Sequence, residues 1–227
     1  MTPAPARHAL VLADGSVPSA ALLDETWPGW SDGLDLVIAA DGGARNAATL
    51  GRTIDLWVGD GDSLGEAGIA ELVARGIPIR RSPVDKDESD TELAVLAALD
   101  AGARRVTIVG ALGGARVDHG LANVWLLGHP RLAGCDVRLV DATVRIRLVG
   151  PGLADLGGRV GDLVSLLPFG GDATGIATAG LRYPLRDESL PSGPSRGLSN
   201  VRDASAASVV VGSGRVLVVE TPATLSR

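Results

Sequence analysis

The spacing of apolar and polar positions changes period near residue 140. Before it, the short apolar runs Ala9 to Ala13, Leu34 to Ala40, Ile54 to Val58, Ile77 to Arg80, Val106 to Val109 and Val137 to Val140 read as strands. Between them, Ala44 to Leu50, Glu66 to Arg75, Ser89 to Ala101 and Asp118 to Leu127 carry apolar residues three and four apart, as at Leu93, Leu96 and Ala97, and read as helices. Ser89 with Glu92 has capping-box spacing, and Gly76, Gly102 and Gly128 fall where C-terminal caps belong. Strand and helix in repeated alternation predict a parallel, Rossmann-like α/β sheet covered on both faces.

From about Thr143 the period is two. Val144, Ile146 and Leu148 alternate with Arg145 and Arg147, which predicts a strand with a charged outer face. Further short strands are expected at Asp162 to Leu167, Ala173 to Ala179, Ser208 to Val211 and Val216 to Glu220, without a helix. That pattern predicts an antiparallel β-sandwich or barrel. The chain is accordingly expected to form two domains, 1–141 and 142–227, with a long Pro-, Ser- and Gly-rich loop from Pro184 to Asn200 in the second.

Composition narrows the function classes. A net charge of −6 disfavours a nucleic-acid or anionic-membrane partner reached by bulk electrostatics. The single cysteine, Cys135, excludes an internal disulfide and every multi-cysteine zinc pattern. The N-terminal stretch has Pro and an early Asp where a leader would need a sustained apolar run, and no segment reaches ~18 uninterrupted apolar residues, so a soluble, cytoplasmic protein is expected. There are 20 arginines and one lysine, and that lysine, Lys86, lies in an acidic stretch.

The acids are the candidate chemistry. Asp41 in AADGGA, Asp60 and Asp62 in VGDGDS, and Asp85, Asp87 and Asp90 in VDKDESD each follow an apolar run. In an open parallel sheet such loops gather along one edge, and the resulting cluster calls for a divalent metal and phosphate. Gly42 and Gly43 open a helix whose backbone amides could meet an anion. Asp87, Ser89 and Asp90 sit at a helix start, where Ser89 reads first as a cap. Lys86 either neutralises its acidic neighbours or contacts a phosphate as a point charge. In VGALGGARVDHGLAN, Arg116 offers positive charge to a transferring phosphoryl group, Asp118 caps the helix or holds the Arg or a metal, and His119 is a base, a phosphate donor or a packing residue. His8 and His129 read as structural. No Walker loop, GxGxxG fingerprint or GxSxG elbow is present.

Taken together, AADGGARNAATLG, DLWVGDGDS, DKDESDTELAV, GALGGARVDHGLAN, GLRYPLRDESL and GLSN resemble the thiamine pyrophosphokinase family, in the right order from about Ala39 to Asn200. The resemblance implies ATP-dependent pyrophosphate transfer to thiamine, giving thiamine diphosphate and AMP, on an α/β nucleotide domain followed by a β-sandwich, in a homodimer whose interface completes the thiamine pocket. By it, Asp60, Asp62 and Asp90 bind Mg²⁺, while Asp41, Gly42, Gly43, Lys86, Asp87, Ser89 and His119 serve the nucleotide. Asp62, Asp90, Arg116 and Asp118 carry the chemistry, and Tyr183, Ser199 and Asn200 line the thiamine pocket. Three departures from the family form stand out: Ala115 adds a residue before Arg116, Ser89 replaces a threonine, and Arg182 and Tyr183 replace Lys and Trp. Other readings are a pyrophosphokinase acting on a pterin-like heterocycle, a nucleotide-binding regulatory module, and a DxD-type nucleotide-sugar transferase.

Overall fold

The computed structural model describes residues 7–223; residues 1–6, the start of the stretch weighed above as a leader, and residues 224–227 lie outside the described part. The chain divides into two compact units, Met1–Ala142 and Thr143–Arg227. No helix among the described residues is long and apolar enough to cross a membrane.

The first unit holds six parallel strands: β1 (Arg7–Leu12), β2 (Leu34–Ala40), β3 (Leu56–Gly59), β4 (Ile79–Arg81), β5 (Ala103–Val109) and β6 (Asp136–Val140). Their order across the sheet is β4-β3-β2-β1-β5-β6. The chain winds outward from β1 on one side, then crosses to β5 on the other, so the order reverses between β1 and β5. Loops leaving the carboxyl ends of these two strands part there and leave a crevice. Helices α1 (Ala20–Thr26), α2 (Asn46–Thr49), α3 (Gly65–Ala74), α4 (Asp90–Asp100) and α5 (Val117–Leu126) connect the strands. Covered faces explain why β1 is buried throughout after Arg7. Trp27 and Trp57 fill the core beside Leu10, Leu12 and Leu23, and α4 packs through the small residues Ala94, Ala97 and Ala98.

Strand Leu34–Ala40 has the bounds that its apolar run predicts, as do Ala173–Ala179 and Ser208–Val211 of the second unit, and the other strands of the first unit begin or end one to three residues from theirs. The Ser89 hydroxyl caps α4 by accepting from the Glu92 N–H at 3.1 Å. Gly76 (φ 74°) and Gly102 (φ 88°) are left-handed caps, whereas after α5 the left-handed glycine is Gly134 (φ 76°) rather than Gly128. The helix expected over Ala44 to Leu50 begins earlier, as a 3₁₀ turn over Asp41–Arg45 that runs into α2. Helix α1 had no counterpart in the apolar pattern.

The second unit is antiparallel. Strands β7 (Arg145–Val149), β8 (Gly152–Asp155), β9 (Leu163–Pro168), β10 (Ala173–Ala179), β11 (Glu188–Leu190), β12 (Asn200–Val201), β13 (Ser208–Val211) and β14 (Val216–Thr221) run in the orders β12-β9-β14-β7 and β11-β10-β13-β8. Val164, Leu166, Val216 and Val218 from the first set share one core with Ile176, Val209 and Val211 from the second, as in a sandwich. Strand β11 lies within the long loop expected from Pro184 to Asn200. The charged outer face expected at Arg145 is not found. Its side chain is only 11% exposed and pairs with the buried Glu220 at 2.6 Å, because the β7–β14 register sets the two directly opposite each other.

Candidate active site

Loops following five strands of the first unit line one cleft of about 500 Å³. After β1 come Asp14 and Gly15, after β2 Asp41, after β3 Asp62 and Ser63, after β4 Lys86, Ser89 and Asp90, and after β5 the glycine-rich run to Arg116. Acids separated by about 50 residues of sequence thus meet at the carboxyl edge of the sheet, where its order reverses.

Four carboxylates converge there: Asp41, Asp60, Asp62 and Asp90 each offer an oxygen within 4.8 Å of the others. Asp41 is 2% exposed and adopts φ 41°, a left-handed conformation that Asp tolerates better than most residues. Trp57 Nε1–H donates to its carbonyl at 3.0 Å. The Asp41 carboxylate in turn accepts from the Ser63 and Leu64 N–H groups at 3.0 and 3.1 Å, tying the β2 edge to the turn after β3. Burial raises the Asp41 pKa to about 6 against those donors.

Lys86 is the cation within the cluster. Its Nζ lies 2.7 Å from Asp60 Oδ2, 3.1 Å from Asp90 Oδ1 and 3.2 Å from the Pro83 carbonyl oxygen. The hydrogen bond from Lys86 holds Asp60 below the usual carboxylate range, helped by the Asp62 N–H, which donates to Asp60 Oδ1 at 3.0 Å. Burial raises Asp90, and Lys86 offsets only part of that rise. Burial pulls the Lys86 ammonium down, but its bonds to Asp60 and Asp90 outweigh this and keep it above the ordinary lysine value. One ammonium among four carboxylates leaves an uncompensated negative field. Hard carboxylate oxygens packed this closely suit a divalent cation such as Mg²⁺.

Across the cleft, Arg116 grips Asp118 with two bonds, Nε to Oδ1 at 2.9 Å and Nη2 to Oδ2 at 2.5 Å. The pair is well exposed, and the Arg116 guanidinium drives the Asp118 carboxyl far below its ordinary range. Arg116 and His119 line the cleft, whereas Asp118 does not.

Several candidates occupy other positions. Asp87 is exposed and outside both the cleft lining and the carboxylate cluster. Gly42 and Gly43 are buried and serve close packing: a Cβ on Gly42 would fall 2.2 Å from Asp14 Oδ1, and one on Gly43 would fall 2.1 Å from the Leu12 carbonyl oxygen. Two residues that stand in the quoted motifs without an assigned role shape the loops. Asn46 Nδ2 donates to the Ala13 and Gly15 carbonyls at 2.7 and 2.8 Å, and the buried Asn123 donates to the Ala111 carbonyl at 2.9 Å. An amide at an inward helical position is the only sequence signal for either, since a buried amide must find partners.

In the second unit, Tyr183 is 58% exposed. Asn200 is 8% exposed and brackets the tyrosine's backbone: Oδ1 accepts from Tyr183 N–H at 3.0 Å and Nδ2 donates to the Tyr183 carbonyl at 2.6 Å. Its amide thus positions Tyr183. Ser199 is left-handed (φ 59°), and its N–H donates to Ser165 Oγ at 3.0 Å.

Comparison with known proteins gives a consistent picture. The family profile described as thiamin pyrophosphokinase, catalytic domain, matches residues 30–139, and that described as thiamin pyrophosphokinase, vitamin B1 binding domain, matches residues 155–216. A thiamine pyrophosphokinase of Bacillus subtilis (strain 168) is 28% identical over 173 residues, spanning 76% of this chain and 80% of that protein. A crystal structure of thiamine pyrophosphokinase from Bacillus subtilis superposes with a TM-score of 0.82 at 25% identity, covering 95% of this chain and 99% of the other. Thiamin pyrophosphokinase from Candida albicans shares the fold, with a TM-score of 0.76 at 16% identity over 95% of this chain and 89% of the other.

Proposed function

The chain belongs to the thiamin pyrophosphokinase family, and we propose that the cleft at the carboxyl edge of its parallel sheet is where pyrophosphate passes from ATP to thiamine. The reaction is ATP-dependent pyrophosphate transfer that yields thiamine diphosphate and AMP. The hydroxyethyl oxygen of thiamine attacks the β-phosphorus of ATP in line. The bond from that phosphorus to the α,β-bridging oxygen breaks, AMP leaves with the bridging oxygen, and the alcohol proton is lost.

The observation that carries this reading is the convergence of Asp41, Asp60, Asp62 and Asp90 within 4.8 Å, with Asp41, Asp62 and Asp90 lining one cleft. Asp60, Asp62 and Asp90 are the Mg²⁺ ligands in this proposal, and a bound Mg²⁺ supplies Lewis-acid compensation for phosphate charge. Asp41 anchors the turn that presents Asp62 and Ser63. Ser89 fixes the start of α4 and hence the position of Asp90. Arg116, paired with Asp118 in the free protein, turns to the transferring phosphates, where its fork offsets developing charge. His119, on the first turn of α5, adds a donor to the same wall.

Thiamine recognition is assigned to the second unit, with Tyr183 as an aromatic surface for a cationic or pyrimidine ring and Asn200 and Ser199 shaping its loop. A homodimer completing that pocket is part of the proposal. It is supported by exposed apolar side chains at Val117, Leu121 and Trp125, spaced four apart along α5 immediately after Arg116. A reducing, cytoplasmic setting agrees with the single cysteine.

The test is an acceptor comparison. With ATP and Mg²⁺, thiamine is expected to support AMP release, and a hydroxymethyl pterin is not. Release of ADP in place of AMP, or equal use of the pterin, would replace this reading.

A further inference from the structure

Lys86 is the chain's only lysine, against 20 arginines, and it stands where a compact cation is required. Its side chain is 11% exposed, between Asp60 at 7% and Asp90 at 23%. Its ammonium donates hydrogen bonds to Asp60 Oδ2 and the Pro83 carbonyl and forms an ion pair with Asp90 Oδ1 at 3.1 Å, an oxygen that is buried and accepts no hydrogen bond. A guanidinium spreads its charge over a rigid planar fork, while an ammonium is a point charge on a flexible stem. Only the latter matches two carboxylate oxygens and a carbonyl gathered around one nitrogen.

Resting on the metal reading of the cluster given above, we propose that Lys86 is a resident cation of the acid cluster, a positioning residue that occupies one cation position permanently. It holds Asp60 Oδ2 and Asp90 Oδ1 together. Asp60 Oδ1 is turned to the Asp62 N–H, and both Asp41 oxygens are engaged by backbone N–H groups. In the nucleotide-free protein the carboxylate oxygens of the cluster that accept no hydrogen bond are Asp62 Oδ2 and those of Asp90, of which Oδ1 lies 3.1 Å from the Lys86 ammonium, while Asp62 Oδ1 accepts from the Ser63 hydroxyl at 3.1 Å. In this arrangement the nucleotide-free protein keeps its carboxylates in place without metal and takes up divalent metal weakly. Tight metal uptake then awaits the triphosphate, which brings further oxygens.

The test reads Mn²⁺ binding to nucleotide-free protein by titration calorimetry, together with thermal unfolding in EDTA and in Mn²⁺, for wild type, K86M, K86Q and D62N. Loss of the ammonium removes repulsion of the incoming ion and frees two oxygens, so K86M is expected to bind Mn²⁺ about 10-fold more tightly or better. It should also unfold at a lower temperature than wild type in EDTA and gain more from Mn²⁺. K86Q can still hydrogen-bond its neighbours, so it keeps the test open if K86M does not fold, and the same tightening is expected. Mn²⁺ affinity equal to or weaker than wild type in both Lys86 variants, with binding lost in D62N, overturns the role of Lys86 while leaving the metal site standing. Weakened ATP binding with unchanged Mn²⁺ binding also overturns it, by making Lys86 a phosphate ligand. Absence of Mn²⁺ binding in wild type and every variant overturns the metal reading itself, and the proposal with it.

Discussion

Trp57 fixes Asp41. The fully buried indole donates from Nε1 to the Asp41 carbonyl at 3.0 Å, at the residue whose φ of 41° starts the turn carrying the acid into the cleft. The local backbone at the site therefore depends on a core side chain one strand away. Trp57→Phe keeps most of the apolar volume and removes the indole donor, taking one hydrogen bond from a buried carbonyl. It is expected to cost about 1–3 kcal/mol of stability and to raise the Mg²⁺ concentration needed for half-maximal activity. Urea unfolding and Mg²⁺ titration of turnover check both; unchanged Mg²⁺ dependence would separate Trp57 from the site.

The Arg116 guanidinium is exposed and, among the described residues, is held by Asp118 alone. Arg116→Ala should therefore leave the melting temperature unchanged and lower turnover by on the order of 10²-fold or more. Steady-state kinetics beside a thermal melt give the answer. A loss of stability with normal turnover would make the pair a structural clip.

The Asn200 side-chain amide holds Tyr183 by its backbone N–H and carbonyl. Asn200→Ala releases the loop, so KM for thiamine should rise several-fold while KM for ATP stays within about twofold, as expected where uniform binding of one substrate is lost. Tyr183→Ala should act in the same direction. A fall in kcat with unchanged KM for thiamine would argue against a thiamine surface here.

His8 is 1% exposed, with Nδ1 3.0 Å from the Asp32 carbonyl and Nε2 2.9 Å from Thr107 Oγ1. Burial lowers its pKa below 6.5. The unfolded chain then binds the proton more readily, so the His8 contribution to stability is complete above pH 6.5 and is lost as pH falls through the lowered folded value. Asp41, raised by burial to about 6, works in the opposite direction, its relative stabilisation being lost as pH rises through that value. The difference between wild type and His8→Gln isolates the histidine. Urea midpoints are expected to converge from pH 7 to pH 5, and a constant difference would contradict the assignment.

How much of this was legible in the sequence differs by element. Leu34–Ala40 is apolar apart from Asp35 and buried from Val37 onward because both faces of a parallel strand are covered, and its bounds are visible in the residues alone. Helix α1 was not legible: of AALLDET only Leu23 is buried, and Leu22 is 43% exposed, so no apolar stripe marks it. Strand β8 is missed for the same reason, with none of its four residues buried. The acids were legible as a group because each follows a strand, and parallel topology brings strand ends together. Asp87 shares their motif, yet the chain turns it outward. The duties of Trp57, Asn46, Asn123 and Asn200 depend on backbone groups distant in sequence, which no local pattern encodes. Arg145 has the alternation of a surface charge, and only the strand register reveals Glu220 opposite it.

The central claim is that pyrophosphate moves at the four-carboxylate cluster, and labelled ATP tests it most directly. With ATP labelled at the β-phosphorus, Mg²⁺ and thiamine, the wild-type protein should deliver the label to thiamine diphosphate and release unlabelled AMP. Asp62→Asn, whose side chain is exposed in the cleft and whose fold should be intact by circular dichroism, should deliver essentially none. Label retained in ADP by the wild type, or near-normal transfer by a folded Asp62→Asn protein, would contradict the account.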